Sequence, residues 1–196
     1  MSFLTGTNVE TIYSSTNLFT AKNTFTSEVT INDTATGNVQ AHLPPDFWAP
    51  NLTQTGRGIR IVARGILSST GTPTYTFTIR SGSAANTSAA IILGSAALTT
   101  GSGVSNIGWE LQGDIVLKTQ GAAGTNSTVL GTGSIVSGGL ASPFVYGVGA
   151  GASLTTPTVA TVDTSITNYI NFNVTCSASS ASNNIQLTQL LVFGLN

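Results

Sequence analysis

The sequence has little of what most catalytic and metal sites need. Among its 196 residues there is one cysteine, Cys176, and one histidine, His42. A single cysteine excludes a disulfide within the chain and a cysteine-based metal site, and a single histidine excludes a histidine cluster. No apolar run approaches the length of about 18 residues that a membrane-spanning helix needs. The sequence therefore predicts no metal, no cofactor and no membrane partner.

Charge is scarce as well. The chain has 6 Lys+Arg and 7 Asp+Glu, so 7% of its residues are charged, where an ordinary soluble domain has about 25%. The net charge of −1 offers no electrostatic reason to bind nucleic acid. Residues 1–6 lack the basic and apolar regions of a signal peptide. We therefore expect the chain to be made and kept in the cytoplasm, or released by lysis.

What the sequence does contain is typical of β-structure. It has 32 threonines, 22 serines and 22 glycines, and apolar and polar residues alternate in several runs, as expected of strands with one buried face. The clearest runs are Ile59–Leu67, Thr74–Arg80, Trp109–Leu117, Ile170–Cys176 and Ile185–Phe193, and weaker ones are Ala89–Leu98, Ser127–Val136 and Phe144–Val148. Turn-forming clusters separate them. About eight strands at this spacing predict a β-sandwich or barrel.

The alternation also predicts which face each side chain takes. Trp109 and Cys176 fall on the apolar side of their strands and are expected in the core. In the last strand, Leu190 and Val192 fall opposite the predicted core face, as Val116 does in its own strand. Apolar residues on both faces of a strand indicate faces that neighbouring chains cover.

The first 37 residues differ from the rest. Apolar residues such as Phe19 and Phe25 are thinly spread among Thr, Ser and Asn, and the prolines that follow at 44, 45 and 50 set an irregular connection. We therefore expect residues 1–37 to form an arm that docks on a neighbouring subunit, and residues 38–196 to form the sandwich. Trp48, in the proline-rich connection, is a candidate anchor to a partner.

Few side chains suggest catalysis. Glu110 and Asp114 share a strand face, and we expect them to form an exposed charged face, paired with Arg60 and Arg64 of another strand. His42 is the only candidate base for a serine nucleophile, and no nucleophile motif accompanies it. These features predict that the chain is not an enzyme.

Two further charged features have simple interpretations. Four of the six positive charges fall between Arg57 and Arg80, and we expect them to form ion pairs between subunits rather than to bind nucleic acid. Asp163 is expected to cap a turn.

The order of several segments carries a resemblance to a known family. These segments are Gly56–Leu67, Ser69–Arg80, Trp109–Ile115, Gly121–Thr125, Val162–Ile166, Asn171–Val174 and Ala181–Leu187. Over about residues 40–196 the chain resembles the jelly-roll structural proteins of tailed bacteriophages, found as head decoration (cement) proteins and in tail or fibre parts. The resemblance implies an antiparallel, jelly-roll-like β-sandwich that is usually trimeric and exposed on the virion, which assembles in the host cytoplasm. It brings no catalytic residues.

The leading expectation is therefore a capsid decoration protein that trimerises and stabilises the phage head, with itself and the major capsid protein as partners. The alternative is a tail or fibre module that contacts a host glycan. The residues predicted to contact the capsid or another subunit are Phe19, Phe25, Trp48, Arg57, Arg60, Arg64, Glu110 and Asp114.

Overall fold

The computed structural model describes residues 9–33, 39–45, 47–48, 57–84, 87–122, 125–142, 144–149 (backbone only) and 159–195. Its strands are β1 (Val9–Ser15), β2 (Lys22–Asn23), β3 (Val29–Thr30), β4 (His42–Leu43), β5 (Gly58–Ser69), β6 (Thr74–Gly82), β7 (Ala90–Gly94), β8 (Leu98–Thr99), β9 (Val104–Thr119), β10 (Ser127–Ser137), β11 (Phe144–Gly149), β12 (Val159–Val162), β13 (Asn168–Cys176) and β14 (Asn184–Leu195). No helix in these ranges is long and apolar enough to cross a membrane.

Two antiparallel sheets make a sandwich. The front sheet has the order β1-β14-β5-β9-β10, and the back sheet has the order β7-β6-β13-β3. Strand β11 pairs with β10 and, through one residue pair, with β7, so it connects the two sheets along one side. The short strands β2, β4, β8 and β12 add to these sheets at their ends and edges. The predicted all-β, antiparallel, jelly-roll-like sandwich is confirmed.

Aromatic rings fill the space between the sheets. The ring centroids of Phe77 and Trp109 lie 5.3 Å apart, and those of Trp109 and Phe172 lie 5.7 Å apart in a stacked arrangement. Trp109 is 3% exposed and Cys176 is 1% exposed, which confirms the core positions predicted from alternation. Gly65 lies where an added Cβ would meet the Trp109 ring at 2.5 Å, so the indole packs directly on the β5 backbone.

A β-bulge in β14 changes which of its residues face the core. The pairing of β14 with β5 shifts between Leu187 and Gln189. Beyond that point the side chains that point inward are Leu190 and Val192, both 0% exposed. The prediction that these two side chains lie outside the core is wrong, because one extra residue in a strand exchanges its two faces.

The N-terminal segment, residues 9–33, packs on the sandwich of its own chain. Strand β1 extends the front sheet beside β14, and β3 extends the back sheet beside β13. Phe19, Phe25 and Ile31 are 1%, 9% and 0% exposed and belong to the common core. Docking of residues 1–37 on a neighbouring subunit stays a prediction, but the apolar side chains expected to drive it are already buried within the chain.

Candidate functional site

The outer face of the front sheet carries a square of charges. We call this face, formed by the outward side chains of β14, β5, β9 and β10, the front face. Arg60 lies opposite Asp114 and Arg64 opposite Glu110 in the β5–β9 register. Arg60 donates from Nε and Nη2 to the two carboxylate oxygens of Asp114, each at 2.7 Å. Arg64 donates from Nε to Glu110 at 2.6 Å and from Nη1 to Gln189 Oε1 at 2.6 Å.

These pairs are open to solvent. The side chains of Arg60 and Asp114 are 42% and 36% exposed, and those of Arg64 and Glu110 are 48% and 40% exposed. The hydrogen bonds and the negative charge of Asp114 raise the pKa of the Arg60 guanidinium. The predicted pairing of Arg60 and Arg64 with the two acids is confirmed. These pairs form within one chain because adjacent strands place opposite charges side by side, and ion pairs between subunits stay a prediction.

Apolar side chains surround the charged square. On β14, Leu191 and Phe193 are half-buried beside the arginine column. Val116 and Val136 are 45% and 43% exposed, and Val136 lies next to Glu110 in the β9–β10 register. Val62, between the two arginines, is 7% exposed. The front face is therefore apolar at its margins and charged, but internally neutral, at its centre.

The outer face of the back sheet, formed by β6 and β13, is built differently. On this back face Thr78, Asn171 and Asn173 are 5%, 0% and 0% exposed. Glu28 of the N-terminal segment lies over it, accepting hydrogen bonds from Thr78 Oγ1 and from Arg80 Nε and Nη2, the latter two at 2.9 and 2.7 Å. The segment thus closes the back face from within the chain.

Electrostatics hold this closure in place. The side chains of Arg80 and Glu28 are only 16% and 19% exposed. Burial alone would raise the pKa of Glu28, but the hydrogen bonds from Arg80 and Thr78 and the charge of Arg80 outweigh it, so the pKa is lowered. Arg80 also donates to the carbonyl of Ala89 at 2.6 Å.

One asparagine substitutes for a strand partner on β13. Asn32, 2% exposed, donates from Nδ2 to the carbonyl of Ile170 and accepts from the N–H of Phe172, both at 2.8 Å. The N–H of Ile31 donates to the carbonyl of Phe172 at 2.8 Å. These bonds fasten the segment just beyond β3.

The remaining predicted contact residues lie away from the front face. Phe19, Phe25 and Trp48 are core residues, 1%, 9% and 1% exposed, so the structure places all three inside the chain rather than at a contact surface. Trp48 packs edge-on against Phe47, with ring centroids 5.6 Å apart. Arg57 lies over the Phe47 ring, 5.4 Å from its centroid, an attractive cation–π arrangement.

Among the described residues, the contacts of His42 are not those of a catalytic set. Its Nδ1 lies 3.1 Å from the carbonyl of Gln40, and its ring is 6.1 Å from that of Tyr169. Within the described part of the chain, no three His, Cys, Asp or Glu side chains are grouped so as to hold a metal.

Asp163 caps its turn as predicted. It accepts hydrogen bonds from the N–H and the hydroxyl of Ser165 at 3.0 and 2.6 Å. These bonds lower the pKa of the Asp163 carboxyl. Asp163 also borders an open groove that Ser83, Thr161 and Ile166 line.

Comparisons with known proteins do not identify a function for the chain. No protein-family profile matches the chain, and no curated protein sequence matches it. Among solved structures, a Lotus tetragonolobus seed lectin is similar with a TM-score of 0.37 and 7% identity, covering 94% of this chain and 98% of the lectin. The CBM2 module of the evolved Dit of Lactobacillus casei BL23 phage J-1 is similar with a TM-score of 0.34 and 10% identity, covering 97% of each chain. At these values neither similarity bears on what this chain does.

Proposed function

We propose that the chain is a structural protein of a phage particle, and specifically a head decoration protein that forms homotrimers and binds the major capsid protein. One basis for this proposal is the resemblance of residues 40–196 to jelly-roll structural proteins of tailed bacteriophages. The observation that supports docking on a larger surface is the exposure of three apolar side chains in the N-terminal part of the chain. Val9, Leu18 and Val39 are 61%, 60% and 71% exposed, the highest values among the large apolar side chains that the structure describes.

Single exposed apolar residues are ordinary on protein surfaces. Here the exposed apolar residues lie in or near the N-terminal segment, whose backbone is hydrogen-bonded to the sandwich. The backbone of Phe19 is fixed by its N–H to the carbonyl of Leu187 at 3.1 Å and by Gln186 Nε2 to its own carbonyl at 2.8 Å. The hydroxyl of Tyr13 donates to the carbonyl of Val39 at 2.7 Å, which ties the residues before the proline-rich connection to β1.

The N-terminal segment therefore differs from the free arm expected from the sequence. The segment docks on its own sandwich through Phe19, Phe25 and Ile31 and presents Val9 and Leu18 to the outside. Because the segment is already ordered, binding a capsid surface through those side chains would avoid the entropy loss of folding a free tail. The low charge of the chain would also limit repulsion between many crowded copies.

Binding to heads of the phage that encodes the chain tests the proposal. Heads that lack the protein are mixed with wild type or with the variant Val9→Ser, Leu18→Ser and Val39→Ser, and bound protein is measured by co-sedimentation. We expect the triple variant to bind at least tenfold more weakly. The matched control is Val159→Ser with Ile166→Ser, since these side chains are 44% and 37% exposed outside the segment, and it should bind like wild type. Equal binding by the triple variant would contradict the role of this surface, and no binding by wild type would contradict head decoration.

The groove beside Asp163 is the feature that favours the alternative, a receptor-binding module. A sugar could contact several groups there: the carboxylate of Asp163, the hydroxyls of Ser83 and Thr161, and the apolar side chain of Ile166. Trp48 and Trp109 are buried and offer no stacking surface. A glycan array should therefore show no binding if the chain is a decoration protein, and binding abolished by Asp163→Ala would favour the receptor-binding role.

A further inference from the structure

The charges of the front face are arranged in two columns of opposite sign. Arg60 and Arg64 stand on β5, and Glu110 and Asp114 stand on the adjacent β9. A third positive side chain, the exposed Lys118, lies farther along β9, beyond Val116. Each arginine lies in the same row as its acid. The four side chains are more than one third exposed, so each keeps surface toward solvent that a second copy can contact.

We propose that this face binds the same face of a second copy of the chain, about a twofold axis that runs parallel to the strands between β5 and β9. Rotation by 180° about such an axis exchanges the two columns and preserves the rows. Arg60 then lies over Asp114 of the partner subunit, and Arg64 lies over Glu110 of the partner subunit. In a twofold contact each such pair occurs twice, so the eight charges of two copies form a closed, alternating array.

The charge pattern discriminates between the possible arrangements. A twofold axis across the strands would place β5 over β5 of the partner subunit, with arginine over arginine and acid over acid. Like charges opposed in an interface are strongly unfavourable. Sheets that pack face to face also prefer strand directions within about 30° of each other, which an axis along the strands allows.

The apolar margins and the area of the face fit the same arrangement. The exchange of columns places β14 over β10 of the partner subunit, so that Leu195 lies over its Leu130, which shares a row with Leu195 through Gly58 and Val116. The four strands of the front face, spaced about 4.8 Å apart, and seven residues of about 3.3 Å each give a face of about 440 Å². Two such faces bury about 900 Å², the size of a weak specific interface and more than the roughly 800 Å² of most crystal contacts.

This contact is separate from the threefold contact of the proposed trimer. If both form, the complex contains six chains, and if only the twofold contact forms, it contains two. The inference does not depend on capsid binding, which the head-binding experiment measures independently.

Charge exchange on the front face tests the contact by sedimentation equilibrium. The variant Arg60→Asp with Arg64→Glu leaves acid over acid, and we expect the number of chains per complex to fall by a factor of two. The full exchange, which adds Glu110→Arg and Asp114→Arg, restores the pairs within the chain and between copies and should recover the wild-type mass. Unfolding curves check that each variant is folded, and the full exchange keeps the net charge and composition of the wild type.

A mixing experiment separates pairing between copies from pairing within the chain. Wild type labelled with ¹⁵N is mixed with the unlabelled full exchange, and native mass spectrometry counts mixed complexes directly after mixing: two-chain complexes if only the twofold contact forms, and six-chain complexes of two intact trimers if both contacts form. Across this face a mixed pair would oppose arginine to arginine and acid to acid, so we expect pairs of each protein with itself and no mixed pair. A wild type of one or three chains, an unchanged mass in the double variant, or mixed pairs in statistical proportion would each overturn the inference.

Discussion

The outer faces of the two sheets differ in how far residues of the same chain cover them. The back face buries two asparagines and a threonine beneath Glu28 and its bonds to Arg80 and Thr78, all within one chain. The front face keeps its arginine–carboxylate pairs about 36–48% exposed, with apolar side chains beside them. Thr78 bonds to Glu28 and Asn171 bonds to Gln40 and the carbonyl of Ala84, so these buried groups have partners within the chain, whereas the buried side-chain amide of Asn173 has no hydrogen-bond partner in the described part of the chain. The exposed ion pairs of the front face are hydrated. The back face is therefore largely closed within the chain, and the front face is open to solvent.

The contrast predicts that the two faces contribute unequally to stability. Residues that close the back face should matter to folding, and residues of the front face should matter to assembly. Variants of the two faces, compared in the same unfolding and association measurements, test this distinction.

The largest expected effect on stability is that of Asn32→Ala. The change removes the acceptor for the buried N–H of Phe172, and an unsatisfied buried donor, together with the lost bond to Ile170, should lower the free energy of unfolding by about 3 kcal/mol. Urea denaturation measures this loss. Asn23→Ala, an exposed position in the same segment, is the matched control and should change stability little. A loss equal to that of the control would mean that the segment does not hold the back face.

A smaller loss is expected from Glu28→Gln. The amide keeps the shape of the side chain but removes the charge that Arg80 faces, so the free energy of unfolding at pH 7 should fall by about 2 kcal/mol. The same urea measurement applies. If Glu28→Gln were as stable as wild type, the ion pair would not contribute to closure of the back face.

The pH dependence of this effect has a definite sign. The pKa of Glu28 is lowered from its ordinary value of 4.5 in the folded chain, so the unfolded chain takes up the proton first as the pH falls. The stabilisation is complete above pH 4.5 and is lost as the pH falls from there through the folded pKa. The stability difference between wild type and Glu28→Gln should therefore shrink between pH 5 and pH 3, and a difference that grew over this range would contradict the account.

The smallest effect on stability is expected on the front face. Arg64→Gln breaks an ion pair whose side chains are 48% and 40% exposed, and exposed pairs contribute only about 0.2–1 kcal/mol. Unfolding curves of this variant should lie close to those of wild type. A loss as large as that of Glu28→Gln would show that the two faces are not as different as their exposure indicates.

Alternation along the chain was enough to predict the sandwich and much of its core. Trp109 and Cys176 could be assigned to the interior because each continues an apolar side of a strand. The pairs of Arg60 with Asp114 and of Arg64 with Glu110 could be anticipated because charges on one strand face meet those of its neighbour. Asp163 could be assigned to a turn because its carboxylate can accept bonds from residues two positions ahead.

Other features have no local signal. The bulge between Leu187 and Gln189 is seen only in the pairing of β14 with β5. No residue type at this point of the sequence indicates that the inward and outward side chains are exchanged. Phe19 follows one other apolar residue, Leu18, and Phe25 belongs only to a short alternation with Val29 and Ile31, which is too little to predict that both are buried. Asn171 and Asn173 alternate with core residues, a pattern typical of a solvated face, yet both are 0% exposed. Asn171 is bonded to Gln40 and Ala84, residues far from it in the sequence, which a local pattern cannot reveal.

Immunogold labelling of purified virions with antibody against this chain tests the central claim most directly, because it asks whether the chain is part of a particle and where. If the chain is a head decoration protein, label should be distributed over the whole head. Label confined to the tail tip or fibres would contradict head decoration and favour receptor binding through the groove at Asp163, and unlabelled particles would contradict a structural role in the virion.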